Sequence, residues 1–124
     1  MVTHKKIITI CIATYMRPEL LKNCLFSLTK IKVPDSYLPI IIVVDNDKLG
    51  SGKIAFDNIK NDFAVNCFYY IESERGISSA RNNLLEKAIL HKADLIGFID
   101  DDEFDKVYRL YIMVKGVDEY KVDI

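Results

Sequence analysis

Glycine and proline are sparse, with 5 and 3 among 124 residues, and no internal repeat, low-complexity tract or linker interrupts the chain. Cysteine is scarce too. Cys11, Cys24 and Cys67 are odd in number, show no CxxC or other ligand spacing, and two of them sit inside apolar runs, so they read as reduced core residues of a cytosolic protein. His4 and His91 have no His, Cys or carboxylate partner at zinc spacing and read as surface residues. The few glycines form no phosphate-binding signature. Gly50-Ser-Gly52-Lys53 departs from a P-loop, no G-x-G-x-x-G follows the first apolar run, and no G-x-S-x-G is present, which leaves a P-loop ATPase, a dinucleotide dehydrogenase and an acyl-transfer hydrolase without support.

No charge of one sign dominates. Lys+Arg 17 against Asp+Glu 18 gives a formal net charge of −1, so the chain has no general electrostatic pull toward nucleic acid, and no nucleic-acid partner is expected. The longest N-terminal apolar run, Ile7 to Ala13, falls far short of the roughly 20 residues that span a bilayer and lacks a signal-peptide cleavage pattern. Residues 1–33 carry Lys5, Lys6, Arg17, Lys22, Lys30 and Lys32 against Glu19 alone. These bases are scattered, and a solvated surface is preferred to anionic-membrane contact.

What is present is half hydrophobic and 28% charged, the balance of one soluble globular domain over residues 1–124. Lys6 to Ala13 is a β-branched run of strand length. Pro18 then suits a first helical turn, and Leu20, Leu21, Cys24, Leu25 and Leu28 share one helical face. After a loop holding Pro34 and Pro39, Ile40 to Val44 is apolar without alternation, as in a strand buried on both faces of a parallel sheet. A short helix is predicted over 53–61 and a third strand over Cys67-Phe-Tyr-Tyr-Ile71. A helix capped by Ser78 or Ser79 follows, with Leu84, Leu85, Ala88 and Ile89 on one face. Leu95 to Ile99 is the fourth strand, Val107, Leu110, Tyr111 and Val114 mark a last helix, and residues 122–124 begin a further element. The pattern predicts an α/β fold, an open, mainly parallel sheet in the order 3-2-1-4 with helices on both faces.

Ligands of such sheets collect outside the carboxyl ends of the strands. The four ends here are Thr14-Tyr15-Met16-Arg17, Asp45-Asn46-Asp47, Glu72-Ser73-Glu74-Arg75-Gly76 and Asp100-Asp101-Asp102-Glu103, which gathers the polar chemistry of the chain at one rim. The acidic run is the sharpest feature. Adjacent carboxylates repel unless a cation or solvent screens them, and hard divalent ions take oxygen ligands. An isolated Asp-x-Asp is more often a solvated turn, but placement at the end of a buried strand favours a ligand site. Arg81, beside the next helix start, offers a planar fork for phosphate or for a rim carboxylate. Asp45 can accept hydrogen bonds from a nucleobase or sugar edge, or cap the segment after it.

Four segments together resemble the nucleotide-sugar-binding half of the family 2 glycosyltransferases, which have the GT-A fold. They are Ile10-Cys-Ile-Ala-Thr-Tyr-Met-Arg-Pro18, Ile41-Ile-Val-Val-Asp-Asn-Asp47, Gly76-Ile-Ser-Ser-Ala-Arg-Asn82 and Phe98-Ile-Asp-Asp-Asp-Glu103, in the family's order and at about its spacing. The resemblance implies that Thr14 and Tyr15 border the nucleoside, Asp45 hydrogen-bonds the base, and Arg81 sits close to the base or diphosphate. It also implies that Asp100 contacts the ribose side, that Arg17 and Asp101 complete the nucleotide-sugar-binding set, and that Asp102 ligates Mg²⁺ or Mn²⁺ bridging the phosphates. The implied partners are a nucleotide-sugar donor, a UDP-sugar first among them, and a glycan or lipid-linked acceptor. The implied setting is surface-polysaccharide or lipid-linked glycan assembly, in the cytoplasm or peripherally at the inner face of the membrane.

The sequence departs from the family pattern in places. Ala13 stands where proline is usual, Asp-Asn-Asp replaces Asp-Asp-Gly-Ser, and Phe104-Asp105 with Tyr108-Arg109-Leu110 replaces the Pro and Trp-Leu after the acidic run. The family's catalytic base and acceptor-binding residues belong to a second half that these residues do not include, so the catalytic base is unassigned and the chain reads as a truncated donor-binding portion. Two alternatives remain. One is a non-catalytic nucleotide-binding fragment. The other is a Mg²⁺-dependent phosphatase of the dehalogenase type, disfavoured because its Asp-x-Asp follows the first strand.

Overall fold

In the computed structural model the continuous β-branched runs become the centre of one sheet. The structure describes residues 6–29, 35, 37–62, 65–101, 109–114 and 119–123. Four strands, β1 (Lys6–Thr14), β2 (Tyr37–Asp45), β3 (Asn66–Ile71) and β4 (Leu95–Asp100), are mutually parallel. Two more, β5 (Arg109–Val114) and β6 (Glu119–Asp123), add antiparallel beside β4, and the order is β3-β2-β1-β4-β5-β6. The expected order 3-2-1-4 is therefore present within a larger sheet.

Helices α1 (Pro18–Leu28) and α2 (Lys53–Ile59) cover one face and α3 (Ile77–Leu90) the other. Because strand side chains alternate, Ile8, Ile10 and Ile12 of β1 meet Leu21, Cys24, Leu25 and Leu28 of α1 and Phe56 of α2. Cys11, Ile42 and Val44 turn the other way, onto Ala80, Leu84 and Ala88 of α3. Each fully buried Ile or Leu in these two layers contributes on the order of 2 kcal/mol. Among the described residues no helix is long and apolar enough to cross a membrane.

Several expectations are corrected. Residues 109–114 form a strand, not a helix, and Val107 lies outside the described residues. The helical spacing of Leu110, Tyr111 and Val114 sits within Leu-Tyr-Ile-Met-Val, an apolar run that fits either period, and the free edge of β4 supplies a ladder. Pro39 lies inside β2, where it pairs with Ile8 of β1 but stands one residue outside the β3 ladder, so its missing N–H is tolerated. Gly76, not Ser78 or Ser79, is the N-cap of α3, and Ile89 is exposed. His91 is no free surface residue: it closes α3 against β3, stacking on Phe68 at 4.1 Å between ring centroids and sharing a 2.9 Å hydrogen bond with the Tyr70 hydroxyl.

Candidate functional site

The register sets the rim. Thr14 pairs with Asp45, Asp45 with Ile71 and Ala13 with Asp100, so β1, β2, β3 and β4 end at one level. The chain runs outward through β1, β2 and β3, then crosses to β4 on the far side of β1, which makes the crevice beside β1 the point where the strand order reverses.

A cleft of about 380 Å³ opens there, within the range of small-ligand sites. Ala13, Thr14, Tyr15 and Arg17 line it from the β1 end, Asn46 from just past β2, Arg75 from the β3–α3 connection, Ile77 and Ala80 from the start of α3, and Asp101 from just past β4. Met16 makes the strand-to-helix corner with φ 50, a left-handed conformation uncommon for a non-glycine residue, and lies between the two cleft-lining side chains Tyr15 and Arg17. Arg17 is also the N-cap of α1, whose Leu21 N–H donates to its carbonyl at 2.9 Å.

Asp101 is buried. Its Oδ2 accepts the Thr14 hydroxyl at 2.9 Å, and its Oδ1 meets an Arg17 guanidinium nitrogen at 3.3 Å. Arg17 is half exposed, so the ion pair is worth no more than about 1 kcal/mol, and the shielded Thr14 bond is the firmer tie between β1 and β4.

Asn46 performs the same service between β2 and the β3–α3 connection. Its Nδ2 donates to the Glu72 and Glu74 carbonyls at 2.9 and 2.8 Å, and its Oδ1 accepts the Gly76 N–H at 2.9 Å. Glu72 supports the connection further by accepting from the Glu74 N–H and from Asn83. Arg75, carried between these anchors, lays its guanidinium 3.5 Å from the centre of the Tyr15 ring.

Asp45 is completely buried behind the cleft. Its carboxylate accepts the Asp47 N–H at 3.0 Å, the Gly52 N–H at 2.8 Å and the Tyr69 hydroxyl. A Cβ at Gly52 would stand 3.0 Å from Asp45 Oδ2 and from Leu21, so glycine is what allows this approach to the α2 N-cap. Burial, then the Asp45 carboxylate, holds the Tyr69 phenol well above its ordinary pKa. Asp47 in turn accepts the Leu49 and Ser51 N–H groups, and the first of these bonds leads in holding its pKa below the ordinary carboxylate value. These hydrogen bonds are compatible with the capping role read for Asp45 and leave its contact with a nucleobase as a proposal.

Thr14, Tyr15, Arg17 and Asp101 thus converge on the cleft. Arg81 does not line it. That side chain is exposed on α3, with its guanidinium 6.0 Å from the Phe98 ring centre. Asp100 closes β4 along the backbone, and Asp102 lies outside the described residues. Among the described residues no group of three or more His, Cys, Asp or Glu is assembled as a cation site. The donor set still suits a hard ion, since Mg²⁺ is commonly held by one or two carboxylates together with substrate phosphates. No sequence pattern singles out Asn46 or Arg75. Both lie in strand-end clusters, and the nearest sign for Arg75 is its place just before the glycine that starts a helix.

A parallel sheet with crossover helices on both faces and a polar cleft at its point of reversal defines a doubly wound α/β protein. The model of the glycosyl transferase family 2 matches residues 9–124, and the chain belongs to that family. Residues 1–349 of S. aureus TarS superpose with a TM-score of 0.63 at 21% identity, covering 77% of this chain and 27% of that one. TarS is also known in complex with UDP and with UDP-GlcNAc. The mannosyltransferase PcManGT of Pyrobaculum calidifontis, in complex with GDP-Man and Mn²⁺, gives 0.60 at 21% identity, covering 81% of this chain and 28% of that one. The fold is that of the GT-A glycosyltransferases, and the chain spans about a quarter of the length of these structures. No curated protein sequence matches it significantly.

Proposed function

We propose that residues 1–124 are the donor-binding portion of a metal-dependent glycosyltransferase that moves a sugar from a nucleotide-sugar to an acceptor hydroxyl. The observation that carries this reading is the convergence of Thr14, Tyr15, Arg17 and Asp101 on one cleft at the strand-order reversal, within a family 2 chain. Tyr15 offers an aromatic wall for the nucleoside, and Thr14 with Asp101 fixes the floor. Asp100 is assigned to the ribose side. Asp45, which sets the turn into α2, and Arg81, which lies on α3 near Phe98, do not line the cleft, and the contacts with base or diphosphate that the resemblance implies for them stay a proposal.

Asp102 would hold Mg²⁺ or Mn²⁺, which when bound supplies a Lewis acid for the charge that develops on the departing nucleoside diphosphate. A UDP-sugar is the first candidate donor, since TarS binds UDP and UDP-GlcNAc, while PcManGT binds GDP-Man. The acceptor is assigned to glycan or lipid-linked assembly at the cytoplasmic face of a membrane.

The test is calorimetric titration of nucleoside diphosphates with and without Mn²⁺. Metal-enhanced binding of one base is expected, and Asp102→Ala should abolish most of the enhancement. Asp94→Ala should leave it nearly intact, because the Asp94 carboxylate accepts the Ile7 N–H at the entry to β1. Equal loss in both variants would reduce the acidic run to a diffuse negative surface.

A further inference from the structure

We infer that Arg75 is the residue that grips the diphosphate of the donor, held ready for it by its stack on Tyr15; this rests on the nucleotide-sugar reading above. A diphosphate entering the cleft needs cationic hydrogen-bond donors. Among the described residues two guanidiniums line the cleft, and they differ in their state. Arg17 is already engaged by the Asp101 carboxylate, whereas among the described residues no carboxylate lies within ion-pair distance of Arg75. Among the described residues Arg75 therefore brings to the wall a positive charge that no carboxylate pairs with directly, and Arg81, which is more conspicuous in the sequence, does not line the cleft.

The stack fixes how that charge is presented. The guanidinium carbon of Arg75 lies 3.5 Å from the centre of the Tyr15 ring, a separation close enough to favour contact through the flat face of the guanidinium, whose N–H donors lie in its plane. Face contact with tyrosine and edge contact with phosphate therefore do not compete, and the planar fork is the geometry that phosphate oxygens accept in pairs. The base of the arm is equally fixed. Asn46 holds the Glu74 carbonyl on one side of Arg75 and the Gly76 N–H on the other, so only the side chain itself has freedom left to lose on binding. Tyr15 and Asn46 are the positioning residues for Arg75.

The test separates this inference from the reading it rests on. A nucleoside, its monophosphate and its diphosphate, with UDP, UMP and uridine as the first series and guanosine forms as the second, are titrated into the chain with Mn²⁺ and followed by NMR. Arg75→Gln is expected to weaken diphosphate binding about tenfold or more, the monophosphate less, and the nucleoside not at all. Arg75→Lys, which keeps the charge and loses the fork, should fall between, and Arg81→Gln should cost less than Arg75→Gln. Exposed Lys22→Gln on α1 removes the same charge away from the cleft and should match the unaltered chain. Arg75 is exposed, so circular dichroism of the variant should be unchanged. If the diphosphate binds but Arg75→Gln does not weaken it, if the loss is equal for nucleoside and diphosphate, or if Arg81→Gln costs more, Arg75 is not the diphosphate grip. If the unaltered chain binds no member of either series, the nucleotide-sugar reading itself fails, and this inference with it.

Discussion

Thr14 and Asp101 meet across the seam between β1 and β4, where a threonine hydroxyl donates to a carboxylate that solvent hardly reaches. The bond matters less for its own strength than for what its removal exposes, because a buried carboxylate oxygen deprived of its donor keeps the whole desolvation penalty. Thr14→Val preserves shape and removes only the donor. We expect it to destabilise the chain by about 1–3 kcal/mol in urea unfolding, with Thr14→Ser within about 0.5 kcal/mol of the unaltered chain. A Thr14→Val chain as stable as its parent would mean that the other partners of Asp101, Arg17 among them, satisfy its carboxylate. That outcome conflicts with the half exposure of Arg17, which lets water compete for the ion pair.

At the scale of elements, the critical joint is the start of α3. Gly76 has φ 134 and ψ 146, a region that side-chain-bearing residues rarely enter, and its N–H is spent on Asn46. A Cβ there would meet nothing within 4 Å, so Gly76→Ala should cost conformational strain alone, about 1–3 kcal/mol, and should lower Tm while disturbing Arg75 next to it. A Tm within error of the parent would show that the joint relaxes freely. The same joint marks where the sequence stopped being legible. The four parallel strands and their order could be read because the unalternated runs and the amphipathic stripes have distinct periods, and the convergence of Thr14, Tyr15, Arg17 and Asp101 followed from that order. The cap of α3 could not be read from serine propensity, since the Asn46 amide fixes Gly76 from another strand. Residues 109–114 could not be read from spacing, since a nearly continuous apolar run satisfies both periods and only the vacant edge of β4 decides. Arg75 and Asn46 have no local sequence signal because their partners, the Tyr15 ring and two loop carbonyls, are brought to them by tertiary structure alone.

For the molecule as a whole, the question is which half of a transfer reaction the cleft can perform. Transfer needs a base within about 2.6–3.2 Å of the acceptor proton, or one water away, and an acceptor held against the donor. Among the described residues the carboxylate that lines the cleft is Asp101, and it is already committed to Thr14 and Arg17, so drawing a proton from an acceptor would require it to give up the bonds that join β1 to β4. On the proposed reading the groups gathered here serve a donor: an aromatic wall in Tyr15, guanidiniums in Arg17 and Arg75, and a floor fixed by a hydrogen bond. The TarS and PcManGT structures with bound donors or nucleotide are about four times as long as the matched region, which leaves ample chain in them for an acceptor side. Residues 1–124 alone are therefore expected to bind a nucleoside diphosphate with metal, to release sugar from a donor only slowly, and to show no efficient transfer. The measurement is product formation from a matching nucleotide-sugar and an added acceptor, at protein concentrations above the Kd found by titration. Metal-dependent transfer at ordinary enzyme rates, on the order of 1 per second or faster, would place a working base within these 124 residues and overturn the assignment of the cleft to the donor side alone.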